Sequence, residues 1–232
     1  MQGHAYTAGA VRPRSITERS GSSGPAGALA ICGLCLLALA LIWVLAALVP
    51  AVHFRDAVAL HDFTRLGRPS VDWVANHLVH LLDPALFILW GVALVSLALA
   101  RERPRIALAV VAVMGLAPLT SEMLKPLLAH PHASVGAVYI GPASWPSGHS
   151  TAALALALSA VLVSPPSLRA VTAALAAVFA LAVGISLLVL AWHMPSDVLG
   201  GYLVATFWTA LAVAILRAAE RRWPSRHPPE LG

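Results

Sequence analysis

Charge is what this chain has least of. Only 11% of its 232 residues are Asp, Glu, Lys or Arg, and a single lysine, Lys125, occurs among them. Such a scarcity excludes an ordinary water-soluble surface, which takes roughly a quarter of its residues from those four types. Cysteine is nearly absent too: Cys32 and Cys35 are the whole complement, so no disulfide framework is available. Three residues apart within one apolar stretch, they share a helical face and read as small packing residues. A metal or redox role would need further ligands that the neighbouring sequence does not offer. No repeat of useful length is present, which leaves one domain.

What is abundant is hydrocarbon. Hydrophobic residues make up 59% of the chain, and the mean hydropathy is strongly positive. This is the composition of an integral membrane protein, an all-α polytopic one, because backbone in lipid must satisfy its own hydrogen bonds. Spanning the hydrocarbon takes roughly 20 apolar residues as a helix, and six stretches are predicted as spans, near 27–50, 83–100, 106–124, 149–163, 170–191 and 198–216. The fourth is short, and is expected to borrow from the following Ser-Pro-Pro-Ser segment or to sit in a thinned bilayer. Residues 1–26 are polar, without a short apolar core or small-residue cleavage site, and are expected to be a disordered cytoplasmic tail. A membrane domain at 27–217 and a second cytoplasmic tail at 218–232 complete the expected organisation.

The arginines sort to one side. Arg12, Arg14 and Arg19 precede the first span, Arg101, Arg103 and Arg105 follow the second, Arg169 follows the fourth, and Arg217, Arg221, Arg222 and Arg226 end the chain. Arg55, Arg65, Arg68 and Lys125 fall on the other side. The positive-inside rule therefore places both termini in the cytoplasm and the segments 51–82, 125–148 and 192–197 outside, in the cell membrane. Flanking spans where anionic head groups are expected, these arginines point to the bilayer and not to nucleic acid as partner, despite the net charge of +5.

Two polar stretches interrupt the apolar pattern at that outer face: Pro146-Ser147-Gly148-His149 and His193-Met194-Pro195-Ser196-Asp197. Ionisable groups beside hydrocarbon are costly and mark functional sites. Pro, Ser and Gly ahead of a helix present backbone N–H groups at its positive end, a place for phosphate, although Ser147 or Ser150 can also act as a simple cap. Asp197, four residues after His193, is placed to fix one ring nitrogen and leave the other free to attack or to ligate. The plainer reading has Asp197 cap the sixth span and His193 fill an interface. Ser186 lies two helical turns before His193 and is expected on the same face. Lys125, with Glu122 one turn earlier, is either a snorkelling anchor paired with that glutamate or a phosphate ligand. His130, His132, His149, His193 and Asp197 can also be imagined converging on a metal. The region 51–82 reads as a solvated connector with a charged face or as an amphipathic helix on the interface, and no catalytic residue is assigned to it.

Together these residues resemble the type 2 phosphatidic acid phosphatase superfamily, whose pattern is Lys-x6-Arg-Pro, Pro-Ser-Gly-His and Ser-Arg-x5-His-x3-Asp. The resemblance covers roughly residues 80–215. The second motif is complete at Pro146–His149, and the third keeps Ser186, His193 and Asp197. The chain departs from the pattern in having His132 and Ala133 for the first Arg-Pro, and Leu187 for the arginine of the third motif. Leucine supplies none of an arginine's bidentate hydrogen bonding, and His132 replaces it only when protonated.

The resemblance implies an integral membrane, metal-independent lipid phosphatase of lipid metabolism, with six spans and its active site on the extracytoplasmic side. It implies His193 as the nucleophile that becomes a phosphohistidine, Asp197 as its orienting carboxylate and His149 as acid and base. Lys125, Ser147, Gly148 and His132 would bind the phosphoryl oxygens, with Ser186 behind them. No metal or organic cofactor is required, and no oligomeric state is implied. Polyprenyl diphosphate, phosphatidic acid and phosphatidylglycerol phosphate all suit a site whose substrate keeps its tail in the bilayer. The alternative is a lipid-phosphate-binding or interaction protein of the same fold, weakened by the missing arginines.

Overall fold

A computed structural model describes residues 24–136 and 138–224. All regular structure among them is helical: α1 (Pro25–Leu48), α2 (Pro50–Thr64), α3 (Pro69–His80), α4 (Pro84–Ala100), α5 (Pro104–Leu127), α6 (Gly148–Val163), α7 (Pro166–Val189) and α8 (Pro195–Arg222). Proline sets the boundaries. Seven of the eight helices open on it, where its fixed φ suits the first turn and its missing N–H costs nothing. The exception is α6, which opens on Gly148 behind a serine cap.

Four helices, α1, α5, α7 and α8, are long and apolar enough to cross a membrane. Helices α3 and α4 pass the same test only as a pair, bent by 58° at residues 81–83. Large apolar side chains cover the outward faces, with Leu37, Leu108 and Leu175 all more than 60% exposed, which is stable in lipid and not in water. The chain is thus a multi-pass membrane protein. All six stretches expected to span are helical, but α6 has only 16 residues, or about 24 Å at the rise of an α-helix. It borrows nothing from the segment that follows: Ser164 ends it and Pro166 starts α7. Instead α6 is shielded by α4, α5, α7 and α8, which surround it.

Helix α1 packs along α8, and Cys32 and Cys35 are buried there as free thiols, Cys32 Sγ lying 3.7 Å from the Phe207 carbonyl. Helix α8 runs on to Arg222, past the expected boundary at 217. The expected tail over 1–26 lies outside the described residues up to 23, and 225–232 likewise. At one end of the bundle Arg101 donates to the Val163 carbonyl at 2.8 Å and Arg105 pairs with Glu220 at 2.8 Å. The opposite end gathers the described histidines, with Asp56, Glu122 and Asp197.

Segment 51–82 is not a solvated connector. It forms α2 and α3, of which α3 lies on α7 and α2 packs against α7 and α8. Leu60 and Val79 are fully buried in a cluster with Val183, Leu187, Leu188, Met194 and Val198.

Candidate active site

The turn from α7 to α8 carries the first half of the site. The last carbonyls of α7 are closed by Ala191 N–H to Leu188 O at 3.1 Å and Trp192 N–H to Leu187 O at 2.9 Å, and Ala191 is held at a φ of 55°. A left-handed residue there reverses the chain, so that His193 falls beyond the helix and not on its last turn. The expected common face of Ser186 and His193 therefore does not form. Ser186 Oγ instead donates to Ala182 O of its own helix at 2.8 Å.

Pro195 then starts α8, and Asp197 stands in its first turn, fully buried. One carboxylate oxygen, Oδ2, accepts the Met194 N–H at 3.0 Å and faces His193 Nδ1 at 3.3 Å. The plain capping reading and the orienting reading thus coexist in a single oxygen. With Nδ1 turned to the carboxylate, Nε2 is the nitrogen directed elsewhere.

The second half of the site is the turn before α6. Ser147 Oγ accepts the Ser150 N–H at 3.3 Å, and Ser147 O accepts from the Thr151 hydroxyl at 2.7 Å. The Ser147 N–H donates to the Asp197 carbonyl at 2.9 Å, which ties the two motif turns directly together. Ser121 on α5 donates to the Pro146 carbonyl at 3.0 Å. Ser147 has no exposed surface, and its hydroxyl caps α6, the simple capping role that the sequence also allowed. Gly148 and His149 are half-buried at the mouth. His149 sets its ring edge-on to Trp192, the residue before His193, with centroids 5.6 Å apart.

Lys125 pairs with Glu122 at 2.6 Å, as the anchoring reading expects, and the pair lies beside Gly148. A Cβ built on Gly148 would lie 2.6 Å from Glu122 Oε1 and 3.5 Å from Lys125 Nζ. The absence of a side chain at Gly148 is what admits this ion pair to the N-terminus of α6.

His132 lies in the loop after α5, where its Nε2 is 2.8 Å from Ser144 Oγ. His130 and His53 surround it at centroid distances of 4.6 and 6.3 Å. Burial holds its pKa below the usual 6.5; Asp197 pulls upward, while His130, His53 and His193 push further down. Among the described residues no three His, Cys, Asp or Glu side chains come close enough to hold a metal ion, so the imagined convergence of five ligands does not occur.

The model of the PAP2 superfamily matches residues 106–221, half of the chain, and takes in both turns. The chain belongs to the PAP2 superfamily. Among solved structures its fold matches the "Crystal structure of the first transmembrane PAP2 type phosphatidylglycerolphosphate phosphatase from Bacillus subtilis", with a TM-score of 0.68, 20% identity, and coverage of 84% of this chain and 98% of that one. At that identity the likeness is one of fold. No curated protein sequence matches significantly.

Within this PAP2 fold, the two departures from the family pattern lie in different surroundings. Leu187 is fully buried in the apolar cluster beneath the α7–α8 turn, whereas His132 sits among imidazoles in the loop. Sequence reading also missed residues that build the site. Gly200 and Gly201 let α8 approach the second motif: a Cβ on Gly200 would meet the Trp145 ring at 2.9 Å, and one on Gly201 would meet Ser147 O at 2.5 Å. The Gly-Gly pair three residues after Asp197 was the available signal. On α2, Asp56 accepts from Ser196, and His53 from the Ala133 N–H.

Proposed function

We propose that this PAP2 member hydrolyses a lipid phosphate or diphosphate monoester at the outer face of the cell membrane through a phosphohistidine intermediate. His193 Nε2 attacks phosphorus as the bond to the leaving oxygen breaks, and Asp197 on Nδ1 stabilises the positive charge gained by the ring. His149, protonated at the start, gives its proton to the leaving group. In the second half it takes a proton from water, which attacks phosphorus, breaks the N–P bond and releases inorganic phosphate.

Lys125 and the first N–H groups of α6 at Gly148 and His149 hold the phosphoryl oxygens as charge develops. His132 adds a cation only in acid. The observation that carries this reading is the single hydrogen-bonded unit in which Asp197 faces His193 through its carboxylate and accepts the Ser147 N–H through its carbonyl. Arginine clustering at the opposite end of the bundle supports the outward orientation and six spans with both ends cytoplasmic.

The test is inorganic phosphate release by the detergent-purified protein from phosphatidic acid, phosphatidylglycerol phosphate and polyprenyl diphosphate, with EDTA and beside His193→Ala. Release that persists in EDTA and vanishes in the variant is expected. A second reading, a lipid-phosphate binder, draws on the burial of Leu187 and the depressed basicity of His132. It prevails where none of the three substrates is hydrolysed at acid or neutral pH while binding persists.

A further inference from the structure

One face of α2 carries His53, Asp56, Ala57, Leu60 and His61, the i, i+3, i+4, i+7, i+8 spacing of a helix side. Ala57 and Leu60 are buried in the same cluster as Leu187, Met194 and Val198. Of the three polar members of that face, Asp56 meets the first turn of α8, and His53 and His61 meet the loop between α5 and α6. Asp56 Oδ1 accepts the Ser196 N–H at 3.2 Å and Oδ2 accepts the Ser196 hydroxyl at 2.6 Å. His53 Nε2 accepts the Ala133 N–H, next to His132. The His61 ring lies against Gly136, where a Cβ would come within 3.3 Å of it.

We propose that Asp56 is a positioning residue for His193, acting through Ser196, and that α2 is the strut that joins the two loops of the site. The inference rests on the hydrolytic reading for its consequence in turnover, but its geometry stands apart from it.

Pro195 brings no N–H to the start of α8, so the first donor of that helix is Ser196, and Asp56 accepts hydrogen bonds from both its N–H and its hydroxyl. Two carboxylates therefore clamp one helical turn: Asp197 from within, on Met194, and Asp56 from outside, on Ser196. The distance at stake is short. His193 Nδ1 and Asp197 Oδ2 are 3.3 Å apart, already at the long edge of a useful N–H···O bond. A displacement of the α8 start by a few tenths of an ångström removes the contact that sets the ring's tautomer. Asp56 touches neither His193 nor the face that receives phosphate, which separates positioning from catalysis. Burial pushes its carboxyl pKa up, the two Ser196 bonds oppose that, Asp197 adds to the rise and His53 offsets it. A carboxylate kept in such a place solely to solvate a connector would have stayed in water.

The experiment compares wild type, Asp56→Ala, Asp56→Asn, Ser196→Ala and the double alanine variant as full-length protein in detergent. Phosphate release from phosphatidic acid gives kcat and KM, and nitrogen NMR of the labelled histidines, assigned with His193→Gln, gives the His193 tautomer. For Asp56→Ala, kcat is expected to fall roughly 10- to 100-fold with KM within about threefold, the usual effect of loosening a group that orients a reacting one. Asp56→Asn, which keeps one acceptor, recovers part of the loss, and the double variant is no worse than Asp56→Ala alone. The His193 signal passes from one tautomer to a mixture. Wild-type tautomer and kcat in Asp56→Ala overturn the proposal, as does a loss that Asp56→Asn leaves unrelieved and that follows the melting temperature. Should the wild type release no phosphate, the hydrolytic reading fails, and the NMR signature alone decides the positioning role.

Discussion

Restoring the family's arginine at Leu187 is the sharpest test of how this site differs from its pattern. The simple expectation is that Leu187→Arg returns a phosphate ligand and raises activity. The surroundings say otherwise. Leu187 has no exposed surface and packs with Ala57, Leu60, Val79, Val183 and Met194. Removing it forfeits the burial of a leucine, about 1.5–3 kcal/mol. A guanidinium in its place adds an unpaired buried charge, which costs several kcal/mol more. Together these approach the lower end of the 5–15 kcal/mol that holds an ordinary domain. A charge-assisted hydrogen bond to phosphate returns about 1.5–3 kcal/mol, and only while phosphate is bound. Stability therefore loses more than binding gains. Tryptophan fluorescence during heating in detergent is expected to show Leu187→Arg melting far below wild type, with Leu187→Met within about 1.5 kcal/mol because it conserves volume. Phosphate release by Leu187→Arg, assayed below its melting point, should not exceed that of wild type. A variant that melts like wild type and binds phosphate more tightly would refute the reasoning, since its guanidinium would then reach the site.

Lys125→Met separates the anchor from the phosphate ligand: the exposed pair with Glu122 contributes at most about 1 kcal/mol, so melting should barely change, while KM for phosphatidic acid rises at least about tenfold with the lost charge-assisted bond. His132 titrates below 6.5 because burial disfavours its cation. Any help it gives to phosphate binding should therefore be present on the acid side and lost as pH rises through that lowered pKa; His132→Arg should flatten the pH profile of KM and lower KM at neutral pH, and an unchanged profile removes the idea. Gly201→Ala sets a Cβ 2.5 Å from Ser147 O and 2.8 Å from Thr151 Oγ1; it should destabilise by about 1–3 kcal/mol through overpacking, checked by the same melt, and a wild-type melting point would show that α8 yields freely.

The helices were legible from long apolar runs, while the prolines that open them, as at Pro104 and Pro166, were not used, and the expected starts at 106 and 170 fell two and four residues late. The two motif turns were legible because polar residues in an apolar chain stand out. The helix α2 was harder to read. Its face alternates His53, Asp56 and His61 with Ala57 and Leu60, and a segment so mixed in polarity looks solvated until its partners Ser196 and Ala133, more than 75 residues away, are in place. Ser147 left two readings open, phosphate contact and helix cap, and the structure shows the cap. A serine before a helix looks available to phosphate, but the cap bond to Ser150 and the approach of Gly201 leave it no surface. The shared face expected of Ser186 and His193 failed because Ala191 reverses the chain before His193 is reached.

Helix α6 explains why bland residues matter as much as the imidazoles. In lipid, apolar contact gives helices little reason to associate, so close approach depends on small side chains and interhelical hydrogen bonds. The buried residues of α6 are small along most of its length, Ser150, Thr151, Ala152, Ala153, Ala155, Ala157 and Ser159 ahead of Leu162 and Val163, and α8 answers with Gly200, Gly201 and Ala205. Ser150 Oγ bridges the seam to the Val198 carbonyl at 3.1 Å. Because α6 starts on a serine cap where its neighbours start on proline, the Ser147 side chain takes the Ser150 N–H, and the Glu122–Lys125 pair stands beside its first residue, Gly148. Each small residue along this seam sets how far the α6 terminus lies from the α7–α8 turn. A methyl group added there is expected to move His149, Asp197 and the α6 terminus together, while an imidazole replaced at the mouth changes one position alone.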